Sequence, residues 1–346
     1  MGIVSSKPTI TRKELEGVLD CLIAEQLRSG NIVKAFEQQL GEVLGIKHCC
    51  ALSSLTSAYH LAFCALEIKA GDEVIIPSYF DAAPLAALGL TGARAVLADV
   101  DDGSLSPSVE QIREKISPAT RAVVIGHTFG FHCRIEELRE LSVPIIEDIS
   151  HALGTEIDEK PAGQGGEIAV ASFAPSMMIT TGNGAAILTN NSRHFALIRR
   201  LRGGAESGGQ IGYDYGMTDF QAAMGLSQTS RVRDFIRRRR EIARVYYEAV
   251  KSTPHKTPLA YDDSFSYQSF PILFDAPAER VEKYWKKADV EIVKPIPVPL
   301  HGLMGMPSMV CPRSERLSKK LHTLPLYPTL TKKEIEKIAS LLAKFV

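Results

Sequence analysis

The chain has 346 residues, 45% of them hydrophobic, and its 40 lysines and arginines are balanced by 40 aspartates and glutamates. That balance argues against a nucleic acid or an anionic membrane as a partner recruited by bulk charge, and no stretch reaches the ~20 apolar residues of a membrane-spanning helix. Six cysteines without CxxC spacing point away from a zinc centre or a disulfide framework, so no metal, free thiols and a cytoplasmic setting are expected.

In chain order, Thr11 followed by Glu14 forms a capping box that opens a helix expected to reach about Arg28. A second helix is expected from about Ile32 to Leu44. Strands are then expected over residues 49–54, 72–78, 93–100, 121–127, 143–149, 167–174 and 184–190, with helices after the first two over 56–68 and 82–90. These strands are short, β-branched and apolar on both parities, the pattern of strands buried on both faces. Alternation with helices predicts an α/β fold around a largely parallel sheet. A long helical stretch is expected over 217–250. Its basic part, 231–250, interleaves Ile236, Ala243, Val245 and Tyr247 with arginines. A helix with one solvated face explains that run better than a phosphate site does. Residues 1–250, with an N-terminal helical arm, read as a large domain. Residues 251–346 read as a small α+β domain closed by a helix from Lys332.

In open α/β sheets, ligands bind beyond the carboxyl ends of the strands. Three such ends carry chemistry. "IIEDISHALG" supplies Glu147, Asp148 and His151, "SFAPS" supplies Ser172 and Ser176, and "ALSSLTSAYH" puts Ser53, Ser54, Thr56 and Ser57 at a strand-to-helix turn. Helix N-terminal amides and hydroxyls at such a turn hold phosphate. Taken singly, Ser54 or Thr56 reads as an N-cap, and Asp148 as a buried cap or ion-pair member.

Taken together and in order, these segments resemble the nucleotide-sugar aminotransferases of the DegT/StrS group, which have the aspartate-aminotransferase (type I) fold of pyridoxal phosphate enzymes. The resemblance covers nearly the whole chain through "SGNIVKAFEQQLGEVLGIKHCCALSSLTSAYHLAF", "GDEVIIPSYF", "PIIEDISHALG", "SFAPSMMITTGNGAAIL", "GYDYGMTDFQAAMG", "PIPVPLH" and "LPLYP". It implies a seven-stranded, mostly parallel sheet between helices and a homodimer with sites built across its two-fold interface. It also implies a pyridoxal or pyridoxamine phosphate cofactor and a nucleotide-linked sugar ligand. By the same resemblance, Asp148 matches the partner of the cofactor's ring nitrogen, where a carboxylate keeps the ring an electron sink. His151 matches the group beside the ring hydroxyl, Ser172 and Thr56 match phosphate contacts, and His301 matches the histidine of the small-domain "PLH".

The departures from the family pattern are equally specific. The Schiff-base lysine position, five residues after Ser172 in a gapless match, holds Met177. Leu55 replaces a glycine of the phosphate turn, and Asp81 follows Phe80 where a ring-stacking aromatic is usual. "GYDYG" puts Asp214 and Gly216 where asparagine and arginine reach the neighbouring subunit's phosphate. The loop between Arg202 and Gly212 reads as shortened. A thioether forms no imine and moves no proton. A carboxylate ~4 Å from a phosphate charge repels it by about 4 kcal/mol at an effective dielectric of ~20. Lys160, in an expected exposed hairpin, is a poor substitute amine. Two readings follow. One is a family member without lysine chemistry that binds a nucleotide-sugar or related ligand. The other is an enzyme acting on nucleotide-linked keto sugars through a noncovalently held cofactor, with His151 as base.

Overall fold

The protein is described by a computed structural model covering residues 2–101, 103–133, 135–203 and 212–345. The chain opens with α1 (Arg12–Ile23) and α2 (Asn31–Leu44), then β1 (His48–Leu52), α3 (Leu55–Ala65), β2 (Glu73–Pro77), α4 (Ala83–Gly89), β3 (Arg94–Ala98), α5 (Val109–Arg113) and β4 (Thr120–Gly126). After α6 (Ile135–Arg139) and β5 (Ile145–Asp148), a small hairpin of β6 (Glu156–Ile157) and β7 (Lys160–Pro161) leads to β8 (Ile168–Ser172) and β9 (Ala185–Thr189). Then come α7 (Ser192–Arg202), α8 (Asp219–Thr229), α9 (Val232–Val250), β10 (Phe270–Leu273), α10 (Ala278–Lys287) and α11 (Leu300–Leu303), followed by α12 (Pro312–Lys320), β11 (Leu321–Leu324) and α13 (Lys332–Lys344).

The expected sheet forms. Seven strands lie in the order β1-β9-β8-β5-β4-β2-β3. Only β9 runs against the rest, pairing antiparallel with both β1 and β8. Every residue of β2, β5, β8 and β9 is buried, which explains their apolar character on both parities. Separate apolar clusters cover the faces, one including Phe63, Val74, Ile146 and Val170 and another including Phe36, Leu40, Ile149 and Phe173. A further core holds Trp285, Tyr246, Phe270 and Leu342 around the β10–β11 pair. Ile3 joins that core and bridges to Val290, tying the N-terminal segment to the C-terminal part of the chain.

Three helical expectations are corrected. The Thr11–Glu14 box is present, but α1 ends at Ile23 because Glu25 turns left-handed (φ 54) and Gln26 donates back to the Cys21 carbonyl. The stretch 217–250 is two helices. The break falls at Arg231 (φ −113), which pairs with buried Glu14 of α1. The basic helix α9 does have a solvated face, yet Val245 lies on it (41% exposed) while Arg239 is buried. Its Nη1 donates to the carbonyls of Gln268 and Leu326 at 2.9 and 2.7 Å, and burial lowers its pKa to about 10. Periodicity treats arginine as polar and cannot anticipate carbonyls converging from two distant segments.

Asp219, buried in the first turn of α8, also organises α2. Its Oδ1 accepts from Gly30 N at 2.8 Å and Val33 N at 3.0 Å, a cap supplied from another helix because Gly30 has no side chain to give. Asp219→Ala is expected to lose about 1–2 kcal/mol in urea unfolding. A change below a few tenths would show that α2 needs no such cap.

Candidate functional site

A cleft of about 430 Å3 opens where the carboxyl ends of β4, β5 and β8 meet the start of α3. Its wall includes Leu55, Thr56, Phe80, Asp81, Gly126, His127, Asp148, His151, Ser172, Met177, Asn183 and Ile296. The topology thus unites seven of the sequence-expected candidates (Ser54, Thr56, Asp148, His151, Ser172, Ser176 and Met177) with Leu55 and Asp81. Parallel strand ends converge on one edge of the sheet, so side chains far apart in sequence become neighbours.

Asp148 is the last residue of β5 and sits in register with Gly126 of β4. Its Oδ1 accepts from Ser150 N at 2.7 Å, and its Oδ2 accepts from the Tyr59 hydroxyl at 2.5 Å. Burial raises its pKa, and these two bonds offset part of that. Gly126 is required by packing: a Cβ there would lie 2.1 Å from the ring of Phe80. The Phe80 ring therefore lies against the β4 end, while the Asp81 carboxylate turns back to accept from Ala83 N at 2.7 Å and starts α4.

His151 packs parallel to Phe129 with centroids 5.9 Å apart, and its Nδ1 accepts from Phe129 N at 3.2 Å. Burial lowers its pKa, so it is neutral near pH 7. With Nδ1 accepting, the proton is assigned to Nε2.

At the other end, Ser54 is the N-cap of α3, and Ser57 closes a reciprocal box with it. The cap role considered for either Ser54 or Thr56 therefore falls to Ser54. Leu55 and Thr56 occupy the first turn, where backbone amides have no intrahelical acceptor. Leu55 has an ordinary helical backbone, so the turn does not need glycine here. The Ser172 hydroxyl accepts from Ala174 N at 3.3 Å, and Ser150 Oγ holds the Ser172 amide at 2.9 Å. Met177 lies in the following turn, its amide bonded to the Ala174 carbonyl.

Other candidates lie elsewhere. Glu147 points away from the cleft into a buried pair with His127 (2.7 Å) and also accepts from the amides of Gly163, Gly165 and Gly166. His301 is buried between Ser78 Oγ (2.7 Å) and Glu315 (3.2 Å) and does not line the cleft. Lys160 sits exposed in the β6–β7 hairpin. Asp214 is exposed, left-handed (φ 53) and outside this chain's cleft wall. Its neighbour Gly216 bridges to Leu52, and the Tyr215 carbonyl accepts from Ser53 N, so the segment runs beside the start of α3. The shortened loop falls on residues 204–211, outside the described residues. Sequence reasoning passed over Tyr59 and His127. His127 ends a recognised strand and could have been flagged on that ground. Tyr59 looked like an ordinary helix residue.

Among the described residues, neither lysine nor arginine lines the cleft. Among the described residues no group of acidic, histidine or cysteine side chains is placed to hold a metal, and no helix is long and apolar enough to cross a membrane.

Residues 8–343 match the DegT/DnrJ/EryC1/StrS aminotransferase family. GDP-perosamine synthase from Escherichia coli O157:H7 is 33% identical, with 98% of this chain and 97% of the relative covered. Among solved structures, the aminotransferase TlmJ from Streptoalloteichus hindustanus superposes with a TM-score of 0.92 at 27% identity, covering 99% of this chain and 98% of its own. A Streptococcus pneumoniae protein solved in its PLP-form shares the fold with a TM-score of 0.93 at 22% identity, covering 99% of this chain and 98% of its own.

Proposed function

The chain belongs to the DegT/DnrJ/EryC1/StrS aminotransferase family, and from that membership we propose that it binds a nucleotide-linked sugar or a related ligand without lysine-dependent transamination. One observation carries this reading: Met177 lies on the cleft wall beside Asp148 and Ser172, and no lysine joins it there. The residues outside the described set include no lysine in the sequence, so none is concealed among them. The ligand class is supported by relatives such as the GDP-perosamine synthase. We also propose the two-domain division at residue 250, with Ile296 as the small domain's contribution to the cleft wall. A homodimer in which Asp214 faces the neighbouring site completes the proposal.

The residues fit a pyridoxal or pyridoxamine phosphate held noncovalently and do not fit one held by a lysine. Asp148 offers a buried carboxylate to a ring nitrogen. The hydroxyls of Thr56 and Ser172, with the first-turn amides of α3, would hold the phosphate. When bound, the cofactor would supply an electron-withdrawing ring. His151 supports the first reading over the second. A neutral imidazole whose Nδ1 already accepts from the Phe129 amide carries its proton on Nε2, which suits it to donate to an oxygen and not to act as a base.

Incubation with pyridoxal phosphate, borohydride reduction and intact-mass measurement is expected to leave the chain mass unchanged. A saturable reduced adduct of one per chain, mapped to a single lysine anywhere in the sequence, would overturn the proposal.

A further inference from the structure

Tyr59 lies fully buried in α3, one turn beyond Leu55 and Thr56. Its hydroxyl donates a short hydrogen bond, 2.5 Å, to Asp148 Oδ2. Burial and the Asp148 charge raise the phenol's pKa, so it stays protonated and must donate. The other carboxylate oxygen is held by Ser150 N. Asp148 is therefore clamped from two elements, the turn after β5 and the middle of α3. Its remaining lone pairs stay available to the cleft it lines.

We propose that Tyr59 is a positioning residue of this cleft. Its hydroxyl keeps the Asp148 carboxylate ionised and fixed, and so makes the cleft select ligands whose ring nitrogen carries a proton. The selection step rests on reading Asp148 as the partner of a ligand ring nitrogen, whereas the clamp itself does not. The same helix presents Leu55 and Thr56 to the phosphate end, so α3 sets the distance between the two ends of a bound ligand. The other titratable groups near this carboxylate among the described residues are His151, which is neutral and stacked on Phe129, and Asp81, whose charge acts on both Tyr59 and His151. Neither replaces the phenol as a donor to Oδ2.

Tyr59→Phe keeps the ring and removes the donor. In the ligand-free protein, the Asp148 carboxyl titration followed by carbon NMR is expected to move up by about one to two pH units, the size of one hydrogen bond to a charged acceptor. The acid limb of pyridoxamine phosphate affinity is expected to move up with it. An unshifted carboxyl titration overturns the proposal, as does a wild-type pH profile for pyridoxamine phosphate in the variant. If the titration shifts but the wild-type protein binds no pyridoxamine phosphate, the ligand reading fails and the clamp stands. Should the Phe variant not fold, 3-fluorotyrosine at position 59 gives a more acidic donor and must move the midpoint down. A midpoint that stays in place overturns the proposal equally.

Discussion

Met177→Lys combined with Asp214→Asn is expected to give a chain that carries roughly one covalent pyridoxal phosphate per subunit, where the natural chain is expected to carry none. Met and Lys are both unbranched, so Met177→Lys places an amine on the cleft wall with little change in shape. Partial burial there lowers the amine's pKa, while Asp148 and Asp81 in the same wall oppose the shift. A fraction is thus left neutral and nucleophilic at mildly alkaline pH. Asp214→Asn removes the repulsion of about 4 kcal/mol proposed at the neighbouring site. It should leave the backbone unstrained, because asparagine tolerates the left-handed conformation seen at φ 53. Visible absorbance and a borohydride-fixed mass increase on the new lysine are the readouts. A double variant that stays colourless with an unshifted mass would show that the cleft has lost its cofactor contacts as well as its amine.

What was legible in the sequence follows from the range of the interactions involved. The seven strands stood out because each is a short apolar run, and β2, β5, β8 and β9 are buried on both faces, a purely local property. The cleft was legible because strand ends next to polar residues mark it, and Asp148, His151, Ser172, Thr56 and Met177 do share one wall. Contacts between distant segments were not legible. Arg239 looked solvated until carbonyls from two separate segments surrounded it. The end of α1 was set by a left-handed residue, Glu25, that lacks the usual glycine signal. His301 looked like a site residue in its motif, but the fold buries it between Ser78 and Glu315. Glu147 and Asp148 are adjacent and chemically alike. Strand alternation alone sends one into the cleft and the other to the opposite face, where its role is structural.

That role makes Glu147 the site of a large stability effect. Its two oxygens take N–H bonds from Gly163 (2.6 Å), Gly165 (2.8 Å) and Gly166 (2.9 Å), besides the bond to His127. His127 accepts from Cys133 N through Nδ1 at 2.9 Å, so Nε2 carries the proton given to Glu147. Glu147→Ala removes one partner of a buried pair and orphans three amides, and is expected to cost about 3–5 kcal/mol in urea unfolding. Glu147→Gln keeps one acceptor oxygen but turns an NH2 toward donors, so it too is expected to lose about 1–3 kcal/mol. The sign with pH is fixed by the direction of the shift. Burial alone would raise the Glu147 pKa, but His127 and the glycine amides outweigh it and hold the folded value below the ordinary one. The stabilisation is therefore complete above the unfolded pKa of about 4.3 and fades as pH falls through the lower folded value. Wild type and Glu147→Ala should differ most at neutral pH and converge in acid. An alanine variant within 1 kcal/mol of wild type at pH 7 would mean that the glycine loop finds other acceptors. Because Glu147 fixes the strand end on which Asp148 stands, the same variant should also loosen the Asp148–Tyr59 contact across the sheet.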